Sequence, residues 1–363
     1  MATGSIAEVL RSAEVVICCG SGGVGKTTTA AAIGLQLALD GRRIVVVTID
    51  PAKRLADALG LADGLGNDPV RLTIDGPHGT EGEMWAMMLD TAATFDGLVR
   101  ANAPSAEQAE RILANRFYRN IAGALSGTQE YMAAERLHAL HDDPRFDAVI
   151  VDTPPTRDAL DFLEAPGKLT RFLDHPLFKL LMMPTRRGLR VLNIAAQPVL
   201  RTISKVVGGD VLADAIAFFQ AFDGMEAGFR ERADAVMGLL RSDTTRYVLV
   251  ASPKRDTIEE ARYFAARLTQ ARLGVSALVV NRSTPTFGTP SASAKRSKTA
   301  GLWANYDELV AIAAAEHAQL EPLVADVMPA PVCWVPMLSG DVHDISSLHE
   351  IRGLLFGPGA PTG

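Results

Sequence analysis

Gly20-Ser21-Gly22-Gly23-Val24-Gly25-Lys26-Thr27 constrains this chain more than any other stretch. It fits G-x-x-x-x-G-K-[ST], a turn whose backbone N–H groups wrap a phosphate chain. An apolar run, Val15-Val16-Ile17-Cys18-Cys19, precedes it and reads as a buried strand. Thr28-Thr29-Ala30-Ala31-Ala32-Ile33-Gly34-Leu35 follows and reads as a helix. A strand, a glycine turn and a helix N-terminus together make an anion site, because the helix end adds its positive dipole. Lys26 would reach the β- and γ-phosphates, and the Thr27 hydroxyl would hold Mg²⁺. Gly20, Ser21, Gly22, Gly23, Val24, Gly25, Lys26, Thr27 and Thr28 are therefore the expected nucleotide-binding residues.

The rest of the chain supplies a sheet for that turn. Strands are expected near 14–19, 43–49, 84–89, 146–151, 247–251, 277–280 and 332–335. Helices are expected at 27–39, 257–273 and 303–325, with helical patterns over 91–141 and 158–240. Residues 61–82 read as a Gly/Asp loop, 283–300 as a mobile Ser/Thr/Pro/Lys loop, and 357–363 as a frayed tail. Continuously apolar strands alternating with helices predict a mostly parallel sheet covered on both faces, an α/β P-loop NTPase fold with a helical insertion. Ligands of such sheets sit at the carboxyl ends of strands. Gly20, Asp50, Asp152 and Asn281 all fall at such ends. Asp152 is the expected Mg²⁺-side carboxylate. Asp50 can orient, or take a proton from, a water attacking the γ-phosphate. Lys26, Asp50 and Asp152 are thus the expected catalytic residues, and Thr27 and Asp152 the metal residues.

Composition narrows the class. A net charge of −6 argues against a nucleic-acid partner. No basic region followed by an apolar core opens the chain, and no charge-free run reaches about 18 residues. A cytoplasmic protein is expected. Three cysteines, Cys18, Cys19 and Cys333, read as reduced and buried. His138 and His141 complete no metal motif.

The Gly22–Thr28 loop, Asp50-Pro51-Ala52 and Asp152-Thr153-Pro154-Pro155-Thr156 together resemble the ArsA/Get family of ATPases. Val279-Val280-Asn281-Arg282 and Val335-Pro336-Met337 extend the resemblance, which runs from about residue 13 to 353. It implies a dimeric, Mg²⁺-dependent ATPase whose nucleotide state moves a helical, apolar client-binding subdomain. It implies that Asp50 positions the hydrolytic water, that Asp152 serves Mg²⁺, and that Asn281 and Pro336 contact adenine.

Three departures stand out. The family's loop reads G-K-G-G-x-G-K-T, with a first lysine that reaches the partner's phosphates; here Ser21 occupies that position. A hydroxyl cannot neutralise phosphate as an ammonium does. A homodimer would then turn over slowly, and a heterodimer with a related ATPase subunit would restore one site. Arg157-Asp158 replace a Gly-His pair of the family's switch. The family's metalloid- and zinc-binding cysteines have no counterparts, which counts against metalloid transport.

Residues 165–205 combine an apolar series, including Leu177, Phe178, Met182 and Met183, with eight Lys/Arg and one acid. Methionine suits surfaces that repack around varied apolar partners. Basic residues beside an apolar stripe suit anionic lipid or acidic flanks. The expected partner is an apolar client, a membrane-protein segment or lipid, with peripheral membrane contact. Two other readings remain open: an ATP-binding regulatory or scaffold subunit of a heterodimer, and a partitioning or positioning ATPase of the same broad class.

Overall fold

In the computed structural model the described residues are 4–50, 52, 54–74, 82–116, 118–119, 128–154, 161–174, 214, 217–218, 221, 224–286 and 300–357. The apolar runs form β1 (Val15–Cys19), β2 (Arg43–Thr48), β3 (Val70–Leu72), β4 (Glu83–Met88), β5 (Ala148–Asp152), β6 (Thr245–Ala251), β7 (Ala277–Ser283) and β8 (Val332–Pro336). Between them lie α1 (Ile6–Leu10), α2 (Lys26–Leu39), α3 (Arg54–Ala58), α4 (Thr91–Asn102), α5 (Ala106–Ala114), α6 (Thr128–His141), α7 (Asp161–Asp174), α8 (Glu226–Leu240), α9 (Arg255–Gln270), α10 (Ala300–Val327) and α11 (Ile345–Phe356).

The strands make one sheet in the order β3-β4-β2-β5-β1-β6-β7-β8. Every pairing is parallel except that of β3 on β4. Val16 and Cys18 of β1, Ile44 and Val46 of β2, and Val248 and Val250 of β6 share one core with α2. The intervening Val15, Ile17, Val45 and Leu249 are equally buried, so both faces of the sheet are covered. That is why these strands read as unbroken apolar runs. The α/β fold expected from the alternation of elements is the one observed.

Two compact units divide the chain. One comprises 1–88, 140–160 and 242–363, and holds the whole sheet. The other comprises 89–139 and 161–241. Its helices share a separate core that includes Leu98, Ile112, Tyr118, Met132 and Phe229. Tyr118 lies between Phe95 and Phe218, with ring centroids at 5.2 and 6.0 Å. Glu135, almost fully buried, is ion-paired with Arg232, which offsets the desolvation of its charge.

Four elements were not expected, the short helix α3 after Asp50 among them. The 61–82 loop contains β3, an antiparallel edge strand of three residues, too short to display a period. α1 is five residues capped by Ser5 and Glu8. α11 is opened by an Asp344–Ser347 capping box and packs on α2, where Arg352 donates to Gln36 at 3.1 Å. The expected 283–300 loop falls mostly on residues 287–299, outside those described. Its first residues belong elsewhere: Ser283 ends β7, and the Thr284 amide and hydroxyl both donate to Glu316. The expected tail also lies, but for Gly357, outside the described residues, as do 175–205 of the apolar, basic segment.

Candidate active site

The glycine turn leaves β1 at Gly20 and enters α2 at Lys26. Gly20 has φ +147°, and a Cβ there would strike the carbonyl of Val250 on β6. Gly23 and Gly25 have φ +74° and +94°, left-handed values that a side chain resists. Gly25 is also the N-cap of α2, and a Cβ on it would collide with the Asn281 amide nitrogen. Lys26 is buried, and its Nζ donates to the Ser21 carbonyl at 2.8 Å. Burial lowers the Lys26 pKa, and the Asp152 carboxylate opposes that shift.

Asp152 ends β5 one strand away, 1% exposed. Its Oδ2 accepts from the Thr27 hydroxyl at 2.7 Å and from the Thr48 hydroxyl at 3.0 Å. Its Oδ1 is buried without a hydrogen-bond partner. Burial pushes its pKa up to about 6, against the pull of those two hydroxyls and of Lys26. Thr153 fastens this strand end to β1, its hydroxyl donating to the Cys18 carbonyl at 2.8 Å.

Asp50 lies two residues beyond β2 and is nearly buried. Its Oδ1 accepts from the Ala52 amide at 3.0 Å, and its Oδ2 pairs with Arg54 at 3.1 Å. On the other side, β7 is irregular between Asn281 and Ser283. Arg282 there has φ +60°, a backbone state costing roughly 1–2 kcal/mol in a residue with a Cβ. Its guanidinium donates to the Gly23 carbonyl at 3.0 Å, and Asn281 Nδ2 donates to the Val24 carbonyl at 2.8 Å.

Two hollows adjoin the turn. The larger, of about 850 Å³, is lined by Gly22, Gly23, Gly25, Thr28, Lys254, Asn281, Glu316 and the segment from Pro336 to Val342, among others. The smaller, of about 380 Å³, is lined by Gly23, Gly25, Lys26, Thr27, Thr28, Asp50, Arg54, Thr153 and Arg282, among others. The sequence-expected residues thus meet at one sheet edge. Gly20, Ser21 and Val24 are buried under the turn, and the Ser21 hydroxyl has no hydrogen-bond partner. Pro51, Arg157 and Asp158 lie outside the described residues.

Sequence reading missed Thr48, Arg54 and the backbone state of Arg282. Thr48 looks like an ordinary β-former, and Arg54 like a solvated helix start. A left-handed residue other than glycine carries no sequence signature.

A parallel sheet, a left-handed glycine turn on a helix N-terminus, and a threonine of that helix bonded to a strand-end aspartate define a P-loop nucleoside triphosphatase. Residues 13–357 match the model of a family described as anion-transporting ATPase. The chain belongs to that family and is an ATPase of its type. It is similar to the protein named ATPase GET3 of Rhodotorula glutinis, 26% identical over 264 residues, 72% of this chain and 68% of that one. It is similar to ATPase get3 of Schizosaccharomyces japonicus (strain yFS275 / FY16936), 26% identical over 345 residues, 93% of this chain and 91% of that one. It also resembles a putative arsenical pump-driving ATPase of Aquifex aeolicus (strain VF5), 23% identical over 366 residues, 96% and 80% of the two chains. Among the described residues, no helix is long and apolar enough to cross a membrane.

Proposed function

We propose that this chain binds and hydrolyses Mg·ATP at the glycine turn and couples nucleotide state to binding of an apolar client. The meeting of Thr27, Thr48 and Asp152 beside Lys26 carries the reading. Hard oxygen donors of this kind suit Mg²⁺, and the unpartnered, buried Oδ1 of Asp152 fits a carboxylate built to serve a cation. Thr27 and Asp152 would hold the ion. Bound Mg²⁺ supplies charge neutralisation at the phosphates.

The chain's own groups do the rest. Backbone N–H groups of the turn hold the phosphate chain, and Lys26 Nζ leaves the Ser21 carbonyl to meet the β- and γ-oxygens. Asp50 orients the attacking water and receives its proton at a carboxylate oxygen; the Ala52 amide and Arg54 keep that carboxylate in place. The larger hollow, with Asn281 and Pro336 in its wall, takes the nucleoside.

Residues 91–141 and 158–240 form the client-binding part, for a membrane-protein segment or lipid. The Met-bearing, basic stretch 165–205 supports this. The protein works in the cytoplasm as a dimer, with itself or with a related subunit.

ATP turnover of the purified protein and of Lys26→Ala tests the hydrolytic claim. Turnover should vanish in the variant, and unchanged turnover contradicts the reading. Client coupling is tested with a fluorescent single-span apolar peptide. Asp50→Asn, which traps the ATP state, should bind it differently with ATP than with ADP; equal binding removes the client claim.

A second reading rests on Ser21, a short buried side chain without a partner. Here the chain is an ATP-binding subunit that hydrolyses slowly until joined by a subunit carrying the missing lysine. Full turnover in a homodimer excludes it.

A further inference from the structure

Arg54 opens α3 four residues beyond Asp50 and pairs with it through one nitrogen, Nη1 to Oδ2 at 3.1 Å. We propose that its guanidinium bridges Asp50 and the terminal phosphate, which makes Arg54 a further catalytic residue of the ATPase. The inference rests on the readings of the turn as a triphosphate site and of Asp50 as the carboxylate on the water side.

Position is the first support. Arg54 lines the smaller hollow with Lys26, Thr27 and Asp50, and is absent from the wall of the larger one, where the nucleoside would lie. It therefore stands at the phosphate end. A water attacking the γ-phosphorus sits about 3–3.5 Å from it and within hydrogen-bond reach of Asp50. A cation bonded to Asp50 is then a neighbour of the γ-oxygens.

Unused donors are the second. A guanidinium carries five N–H groups in a fixed fork. Nη1 donates to Asp50, while Nε and Nη2 have no partner among the described residues. The side chain is 56% exposed, so its pairing with Asp50 holds it only weakly and leaves it room to turn. Charge is the third. Burial lowers the Lys26 pKa, and the Arg54 cation lowers it further, so the two cations are close enough to repel. An anion entering the hollow they share relieves that repulsion. Arginine also stays protonated at any working pH, and its planar fork matches phosphate oxygens. In the reaction Arg54 forms no covalent bond and moves no proton. It neutralises charge gathering on the γ-phosphoryl oxygens, while Nη1 keeps Asp50 oriented.

The test must separate direct contact from an effect through Asp50 and from charge at a distance. Calorimetry gives Kd for Mg·ATP and for Mg·ADP on Asp50→Asn, and on that chain with Arg54→Gln or Arg54→Lys added. The carboxylate partner is gone from all three, so Arg54 cannot act through it. Arg54→Gln should cut the preference for ATP over ADP about tenfold or more, with ADP affinity nearly unchanged. Misfolding would weaken both nucleotides, and thermal melts check it independently. The loss should persist from about 0.05 to 0.3 M salt, because a contact pair is little screened. Arg54→Lys keeps the charge without the fork and should recover only part of it. With Asp50 intact, Arg54→Gln should also lower kcat about 10²-fold or more. An unchanged ATP-to-ADP ratio, or an unchanged kcat, overturns the bridge. So does a loss that salt abolishes or that Arg54→Lys recovers in full, since charge alone would then suffice. If Asp50→Asn binds neither nucleotide, the triphosphate reading itself falls, and the bridge with it.

Discussion

At the scale of single residues, Asp152 concentrates the cost and the purpose of the site. Its pKa of about 6 lies above the ordinary aspartate value of 3.8, because burial disfavours the charge. Between those values the native state retains a proton that the unfolded chain has released. Metal-free protein should therefore lose stability as pH rises from about 4 to 6. Asp152→Asn should remove that penalty, making the metal-free protein more stable at pH 7 by on the order of 1–3 kcal/mol. Urea denaturation in EDTA at pH 4.5 and 7 measures it; a variant less stable than the parent at pH 7 contradicts this. Asp50→Asn should behave differently. It should lower turnover about 10²- to 10⁴-fold while leaving Mg·ATP affinity nearly intact, read as kcat against Kd. The convergence of Lys26, Thr27 and Asp152 was legible because motif and strand ends fix where those residues fall. The role of Thr48 was not, since an inward hydroxyl in an apolar strand is indistinguishable from a β-former until its neighbour is seen. Nor was the state of Arg282, which comes from a register slip between two strands.

At the scale of elements, the turn works only because α2 sits tightly on the sheet. Gly34 of α2 faces Val46 of β2, and a Cβ there would come within 2.6 Å of the valine methyl. Gly34→Ala gains up to about 1 kcal/mol in helix propensity. The overlap with a stiff β-branched neighbour outweighs this, for a net destabilisation of roughly 1–2 kcal/mol. A chemical-denaturation midpoint that rises instead would refute it. Gly25→Ala should be worse for function than for folding. It adds a left-handed strain and pushes Asn281 off the turn, so nucleotide affinity should fall by more than tenfold. The central strands could be read from sequence because both their faces are buried and no polar residue interrupts them. β3 and α11 could not. Three residues cannot declare a period, and α11 is announced only by its cap at Asp344.

At the scale of the whole molecule, the nucleotide site lies within the unit made of 1–88, 140–160 and 242–363. Mg·ATP should therefore stabilise that unit by mass action, about 2.7 kcal/mol at a hundredfold excess over Kd. Amide hydrogen exchange should show slowed exchange over residues 15–39, 148–153 and 277–283. Uniform protection of the whole chain, or none, argues against a site confined to these segments. The division of the chain follows its sequence in outline, since the sheet pieces carry the continuous apolar runs and the pieces between them the helical patterns. The nature of the proposed client is less legible, because the apolar and basic composition of 165–205 describes a chemistry rather than a particular partner.

The central claim is that Thr27 and Asp152 complete a magnesium-dependent triphosphate site at the glycine turn. Calorimetric titration of ATP into the protein, with and without Mg²⁺, for the unmodified chain and for Asp152→Asn, tests it most directly. The account predicts binding that is strengthened by Mg²⁺ in the unmodified chain and made largely indifferent to Mg²⁺ by the substitution. Binding that ignores Mg²⁺ in the unmodified chain, or no binding at all, would contradict it.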